Sequence, residues 1–182
     1  MNKGLLQRRH GVGILVLMRP CDYPLHAQAR FSQNLLEQGS HPTSERLLAV
    51  LRPASSDVAS ALAINEGDNV IHRRTLRRVN GVPVCVINHF LPELSWWPTM
   101  QQFQNGSLHD FMQQHLGLDL TRSQTRISTR RAQAKECKQL EIALQAPLLC
   151  VRTLNKHRDG QVAEYSVSLT RGDMIELTLE HE

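Results

Sequence analysis

A chain of 182 residues, of which 41% are hydrophobic and 21% charged, has the composition of a globular protein and can bury a full core without disulfide or metal staples. It contains no run of about eighteen apolar residues and no signal-peptide stretch, so we expect a cytoplasmic protein with no membrane partner. The formal net charge of +4 permits an anionic partner or nucleic acid but requires neither.

The cysteines and histidines carry no metal-binding pattern. The four cysteines share no metal-type spacing, and three of them sit in apolar segments, so buried free thiols are expected instead of a disulfide framework. The nine histidines are scattered and form no paired ligand motif. We therefore expect neither a structural metal nor a cofactor.

Residues 1–18 read as a strand, a basic tip flanked by glycines, and a second, apolar strand. This pattern is typical of a wing that lies on DNA, where arginine side chains and backbone N–H groups contact phosphate. The alternative is a frayed basic terminus. No recognition helix precedes the tip, so we interpret it as the remnant of a winged-helix DNA-binding module and expect that Met1 is not the native start. The candidate DNA-contacting residues are Arg8, Arg9, Gly11 and Gly13.

Residues 19–25 contain two prolines and read as a linker. The apolar spacing after them predicts a helix that ends at Gly39. A β-rich run and a second helix follow, and Ser55 or Ser56 can cap that helix. The predicted elements of this part are a helix at Leu25–Gln38, a strand at Ser44–Leu51 and a helix at Asp57–Ala63.

The strongest structural signal is a hairpin within residues 69–92. Two β-rich runs, Val70–Val79 and Pro83–Leu91, flank the pair Asn80-Gly81. Both residues of that pair tolerate positive φ, as a tight hairpin turn requires.

The first strand of the hairpin carries four arginines. Alternation along a strand places Arg73, Thr75 and Arg77 on one face, and Arg74, Leu76 and Arg78 on the other. One face of a sheet normally enters a core, and a buried guanidinium needs an anionic partner. That partner is either a protein carboxylate or a bound anion, and the strand pattern leaves both open.

A degraded copy of the hairpin at Pro147–Asp173 favours one sheet built from two halves, since each copy follows a helix-like segment. The prediction is an α+β fold, a mostly antiparallel six-stranded sheet with helices packed on one side. Its remaining elements are an irregular stretch at Pro92–Gly106, a helix from Gly106 through Gly117, a basic strand at Thr121–Arg131, a helix at Ala134–Leu144 and a last strand at Met174–Leu179.

The sequence offers little for catalysis, because nucleophile elbows, phosphate-binding glycine loops and zinc motifs are all missing from it. Glu164 and Asp173 are candidate acid and base, but we favour a role as partners of arginines in the sheet. The arginines of Thr121–Arg131 are interpreted as mostly solvated. Three features point to an anion: the hairpin arginines, the helix start at Ser107, and Tyr165 beside Glu164.

An ordered set of motifs covers most of the chain and resembles the UTRA domain, the effector-binding domain of GntR-type transcription factors of the HutC subfamily. The resemblance places a wing remnant at 1–18, a linker at 19–25 and the UTRA domain at 26–182. The matching motifs are Phe31-Ser32, Gly39, Arg77 with Asn80-Gly81-Val82-Pro83, Phe90-Leu91-Pro92, Ser107-Leu108, Pro147-Leu148-Leu149, and Asp159-Gly160 through Glu164-Tyr165-Ser166 to Arg171-Gly172-Asp173.

The resemblance implies a chorismate lyase-like fold and a dimeric repressor that responds to a small molecule. In relatives that bind phosphosugars, the residues holding the phosphate match Ser32, Arg77, Ser107 and His109 here. Asn88, His109 and Tyr165 are then expected to face the rest of the ligand.

Three departures from the family pattern bear on the ligand. Thr75 stands where many members have arginine, Ile87 where a glutamate is common, and His109 where tyrosine is frequent. These changes leave room for an anion other than a sugar phosphate, such as a phosphonate. The expected function is the effector-sensing domain of a repressor of phosphonate uptake or degradation genes, with operator DNA bound only by the full-length protein. The alternatives are a chorismate lyase-like enzyme and a HutC-like sensor of an aromatic carboxylate such as urocanate.

Overall fold

The computed structural model of the chain describes residues 6–9, 13–16, 20–24, 35–36 and 39–179. Its centre is a six-stranded sheet in which every neighbouring pair is antiparallel. The strands lie in the order β4-β5-β6-β9-β8-β7. They are β4 (Pro42–Pro53), β5 (Asn69–Val79), β6 (Val82–Leu91), β7 (Thr121–Arg131), β8 (Pro147–Lys156) and β9 (Val162–Arg171).

The β5–β6 hairpin turns at Asn80-Gly81, as the sequence predicts. Asn80 has φ 51° and Gly81 has φ 82°, so both occupy the left-handed region. Two consecutive residues of positive φ form the tight turn whose twist matches that of the flanking strands. The turn therefore sets the register that aligns β5 with β6.

The sheet consists of two similar halves. Each half contains an edge strand, a short helix and a hairpin, and the two hairpins meet where β6 pairs with β9. The helices are α1 (Ser56–Leu62) in the first half and α4 (Ala134–Leu140) in the second. The two-half sheet expected from the degraded repeat is thus present.

One face of the sheet is covered by α1 and α4. Leu140 of α4 packs in a cluster with Leu76, Val86 and Leu169 of the sheet. Tyr165 packs with the buried side of α1. This face holds the residues of even number in the middle of β5 and β6, which is the alternation that a pleated strand imposes.

The opposite face is covered by two further helices, α2 (Trp97–Gln102) and α3 (Leu108–Leu116), and by a pair of short strands. Those strands are β3 (Cys21–Pro24) and β10 (Ile175–Thr178), which pair in parallel. The fold class is as predicted, but helices pack on both faces of the sheet. The reason is that both faces of β5 and β6 are buried, so each needs an apolar cover.

Four element predictions are corrected by the structure. The predicted linker contains β3, which pairs with β10. The last strand, β10, therefore belongs to this two-stranded pair and not to the main sheet. The irregular stretch contains α2, with a proline in its first turn where proline is favourable. The helix predicted to reach residue 144 stops at Leu140, because Glu141 adopts a left-handed conformation with φ 55°.

The N-terminal residues fit the strand–tip–strand pattern. β1 (Leu6–Arg9) and β2 (Gly13–Val16) form an antiparallel hairpin. Arg8 and Arg9 belong to β1 and Gly13 to β2, while Gly11 lies outside the described residues. The domain boundaries and the DNA contact of this wing stay predictions.

The helix predicted at Leu25–Gln38 lies mostly outside the described residues, although Leu35 and Leu36 are helical. The backbone N–H of Gly39 donates to the carbonyl of Leu36, and Gly39 has φ 72°. Gly39 therefore closes this helix as the sequence predicts. Within the described ranges, no helix has the length and apolar content needed to cross a bilayer.

Candidate ligand-binding site

A cavity of about 100 Å³ lies between the sheet, the start of α3 and the β3–β10 pair. Five strands of the sheet contribute to its floor, because β5 to β9 each place at least one side chain on this face. Arg77, His89 and Glu164 are among these side chains, and Ser107 and His109 enter from α3. The cavity thus combines cationic, acidic and hydroxyl groups within a small volume.

Arg77 of β5 supplies a positive charge to the cavity. Burial lowers its pKa, while the electrostatic influence of Cys85, Tyr23 and Glu164 raises it. A guanidinium keeps its proton under such conditions, so Arg77 remains a cation with a rigid fork of donors.

Glu164 of β9 is fully buried at the cavity and accepts three side-chain hydrogen bonds. His89 Nδ1 lies 2.5 Å from Oε1, His109 Nε2 lies 2.7 Å from Oε2, and Asn155 Nδ2 donates to Oε2 at 2.6 Å. Burial by itself would raise the pKa of Glu164, but His109, through its charge and its hydrogen bond, and the hydrogen bond from His89 hold it well below its usual range. The carboxylate is therefore ionised and accepts from all three side chains.

The start of α3 lines the cavity with Ser107, Leu108 and His109. Ser107 is its N-cap and its hydroxyl accepts from the backbone N–H of Asp110 at 3.4 Å. A helix N-terminus favours an anion through its unpaired N–H groups and its dipole. Gly117, with φ 66°, ends the helix as predicted.

The loop before α3 is fastened to the sheet, which fixes where the helix begins. Arg73 is 1% exposed and donates to the carbonyls of Phe103 and Gln104 at 2.9 and 3.3 Å. Ser44 Oγ donates to the carbonyl of Gly106 and accepts from its N–H, both at 2.9 Å. Strands β4 and β5 thereby position the α3 residues that enter the cavity.

The β3 strand also lines the cavity, through Tyr23. Tyr23 of β3 and Arg122 of β7 both line it, and Arg122 Nη2 donates to the Tyr23 hydroxyl at 3.3 Å. Arg122 pairs across the sheet with Asn155 of β8, so a second cation stands near the Glu164 cluster. Two arginines and one carboxylate give the cavity a net positive fixed charge.

Residues 37–176 match the family model described as the UTRA domain. The chain belongs to the UTRA family. UTRA domains are the effector-binding domains of GntR-type transcriptional regulators, so this chain is the ligand-sensing part of such a regulator.

The comparisons with single proteins agree with the family. The chain is 70% identical over 183 residues to the Escherichia coli protein named "Probable transcriptional regulator PhnF", covering 100% of this chain and 76% of that protein. The crystal structure titled PhnF C-terminal domain is 68% identical, with a TM-score of 0.73 over 86% of this chain and 99% of that one. PhnF from Mycobacterium smegmatis, 21% identical, has a TM-score of 0.84 over 98% of this chain and 78% of that one, which supports the fold.

The UTRA cavity brings together three of the predicted ligand residues, Arg77, Ser107 and His109. A fourth, Ser32, lies outside the described residues. The other two, Asn88 and Tyr165, do not line the cavity.

Asn88 and Tyr165 lie on the opposite face of the sheet. Asn88 Oδ1 is 3.0 Å from Nε2 of His72, and Tyr165 stacks on Phe90 with ring centroids 6.1 Å apart. Each is one residue away in sequence from a cavity residue, His89 and Glu164 respectively. Alternation along the strand therefore turns both side chains away from the cavity.

Sequence reasoning missed several cavity residues. The sequence pattern assigns no role to His89 and Asn155, it predicts that Arg122 is solvated, and it places Tyr23 in the linker. A usable signal existed for His89, since Arg77 and His89 share a face once Arg77 is placed opposite Cys85 across the hairpin. Only the packing of β3 against the sheet brings Tyr23 to the cavity.

Asp173 and Glu164, the two carboxylates predicted to pair with arginines of the sheet, have different hydrogen-bond partners. Asp173 pairs with Arg171, as expected, through bonds of 3.1 and 2.8 Å. Glu164 instead accepts from two histidines and an asparagine. On β7, Arg130 is paired with Glu136, while most of the strand is exposed, as the sequence indicates.

Among the described residues, the cysteines and other polar side chains form no recognisable metal site. All four cysteines are free, and Cys85 and Cys150 are buried. Across the part of the chain that the structure describes, no group of three histidine, cysteine, aspartate or glutamate side chains is arranged to hold a metal ion.

Proposed function

We propose that this UTRA domain binds a small phosphonate- or phosphate-type anion and that binding modulates the attachment of the regulator to operator DNA. The observation that carries the proposal is the position of Arg77 in a small cavity that also contains the start of α3. We further propose that the regulator is a repressor of phosphonate uptake or degradation genes. The relative named PhnF supports this assignment by its 70% identity.

The charge of the cavity favours an anion. Arginine binds two oxygens of a phosphonate or phosphate with a planar fork, and the bonds are charge-assisted. The N–H groups at the start of α3 and the hydroxyl of Ser107 add donors without adding a counter-charge. Arg122 contributes a second cation on the other side of the cavity.

The size of the cavity favours a small ligand. Its volume of about 100 Å³ gives room for a small ligand. A phosphonate head with a short substituent fits this space. A small phosphonate also agrees with the departures at Thr75, Ile87 and His109 from the phosphosugar pattern.

We also propose that the domain is a symmetric homodimer and that it has no enzymatic activity. The relatives are named transcriptional regulators, which favours a sensor over a chorismate lyase-like enzyme. Two-fold dimers are the commonest oligomers, and operators with two half-sites match that symmetry. Assays for turnover of aromatic acids are expected to show none.

Calorimetric titration of the chain with ethylphosphonate, a hexose phosphate and urocanate tests the ligand class. We expect ethylphosphonate to bind and to raise the melting temperature by mass action. Binding of urocanate alone would replace the proposal by the aromatic-carboxylate sensor. Binding of the hexose phosphate alone would return the site to a phosphosugar sensor.

A further inference from the structure

The buried carboxylate of Glu164 determines which ring nitrogens of its two histidines carry a proton. It is ionised and accepts from His89 Nδ1 at 2.5 Å and from His109 Nε2 at 2.7 Å. Each of these nitrogens must therefore be an N–H donor. The orientation leaves His89 Nε2 and His109 Nδ1 as the nitrogens that do not face the carboxylate.

His89 Nε2 has no hydrogen-bond partner among the described residues, although the atom is buried. The His89 side chain is 5% exposed and lines the cavity. Burial lowers the pKa of His89, with smaller effects of Arg77 and His109 in the same direction, and the bond to Glu164 opposes them. The neutral ring, with a lone pair on Nε2, is accordingly the favoured form.

The neighbouring groups already have other partners. Arg73, opposite His89 across the hairpin, donates to the carbonyls of Phe103 and Gln104. Asn155 and His109 donate to Glu164. A buried acceptor without a partner is costly.

We propose that His89 is a specificity-determining residue of the effector site and that its Nε2 accepts a hydrogen bond from the ligand. The effector then carries a donor, a hydroxyl or an ammonium group, in addition to its anionic head. This inference rests on the proposed function, because the head is assigned to Arg77 and the start of α3. Arg77 and His89 line the same cavity, so both groups can act on one small molecule.

Three probes that share one skeleton test the inference by calorimetry: ethylphosphonate, 2-hydroxyethylphosphonate and 2-aminoethylphosphonate. We expect the wild-type chain to bind at least one donor-bearing probe roughly tenfold or more tightly than ethylphosphonate, because ethylphosphonate leaves Nε2 unpaired. Comparison of the hydroxyl and amino probes identifies the donor.

The matched variant is His89→Asn, whose side-chain N–H can still donate to Glu164 while the ring acceptor is removed. We expect its preference for donor-bearing probes to disappear, with the affinity for ethylphosphonate changed less than roughly threefold. His72→Asn is the control, because His72 is an equally buried histidine on the opposite face of the sheet. It is expected to keep the wild-type preference.

Nitrogen NMR of the wild-type histidine rings tests the same point without a variant, so the inference stays testable even if His89→Asn fails to fold. A lone pair on His89 Nε2 in the complex with the preferred probe supports the inference, and an imidazolium overturns it. Equal affinity for all three probes, or a preference that persists in folded His89→Asn, overturns it while the proposed function stands. If neither the three phosphonates nor the hexose phosphate binds to the wild type, both proposals fall.

Discussion

Arg77 is the residue on which the anion site depends most directly. Arg77→Ala removes the fork of donors in the cavity, and we expect phosphonate binding to weaken by roughly 2–5 kcal/mol, the usual cost of truncating a desolvated charged contact. Calorimetry with ethylphosphonate measures the loss.

Arg78→Ala is the matched control for Arg77→Ala. Arg78 is the next residue on the same strand, but it is directed at Glu141 beside α4, with 3.5 Å between Nη1 and Oε1. We expect this variant to bind ethylphosphonate like the wild type. If Arg77→Ala also binds like the wild type, the anion site lies elsewhere.

Glu136 stabilises the second half of the sheet through two bonds to Arg130, of 2.9 and 3.0 Å, and one to the backbone N–H of Gln133. Its bonds to Arg130 hold the pKa of Glu136 below its usual value, against the effect of burial. A carboxyl with a lowered folded pKa contributes stability above its unfolded pKa and loses it as the pH falls through the folded pKa.

We expect Glu136→Gln to lower the free energy of unfolding by roughly 1–3 kcal/mol at pH 7, with the smaller value favoured because Arg130 is 36% exposed. The difference from the wild type should shrink as the pH falls below about 4.3, the unfolded value for glutamate. Urea denaturation across pH measures it. Glu141→Gln, at a side chain that is 63% exposed, is the control, and a constant difference at all pH values contradicts the interpretation.

At the scale of elements, the start of α3 is held in place by an edge strand outside the cavity. Ser44 of β4 exchanges two hydrogen bonds with the backbone of Gly106, the residue before the N-cap Ser107. The position of the α3 residues in the cavity therefore depends on the contact between Ser44 and Gly106, although neither residue lines the cavity.

Ser44→Ala tests that dependence. We expect a loss of about 1 kcal/mol in stability, since one partner of a hydrogen-bonded pair is removed. Affinity for ethylphosphonate should also fall severalfold, because a less constrained helix start presents its donors less accurately. Ser128→Ala on the exposed edge strand β7 is the control. Unchanged affinity in Ser44→Ala would show that α3 needs no support from β4.

At the scale of the whole molecule, β4 and β7 are the two edge strands of the main sheet, so each has one neighbouring strand among the described residues. The basic side chains of β7 act against edge-to-edge pairing, as charged edge strands commonly do. We infer that self-association uses another surface.

We expect the chain to sediment at micromolar concentration as a species of twice its 20.7 kDa mass. The physical reason is that a two-fold dimer places two identical sensing domains over the two halves of an operator. Dilution identifies the range in which the dimer dissociates. A single 20.7 kDa species at all micromolar concentrations contradicts the dimer for this chain.

Much of the fold was determined by local sequence. The Asn80-Gly81 pair set the first hairpin, Ser107 and Gly117 bounded α3, and strand Thr121–Arg131 was predicted with its observed ends. These features depend on positive φ, capping and β-propensity, which act over a few residues and can be read from the chain. The position of Arg77 on one face followed from the same alternation.

Tertiary structure alone decided which face of the sheet became the cavity. Both faces of β5 and β6 are buried, so hydrophobic pattern could not tell whether Asn88 or His89, Tyr165 or Glu164, would meet the ligand. The choice depended on α1 and α4 packing on one face while α3 and the β3–β10 pair left a gap on the other. Contacts between distant segments, such as Glu164 with His109 and Tyr23 with Arg122, arise only from that packing.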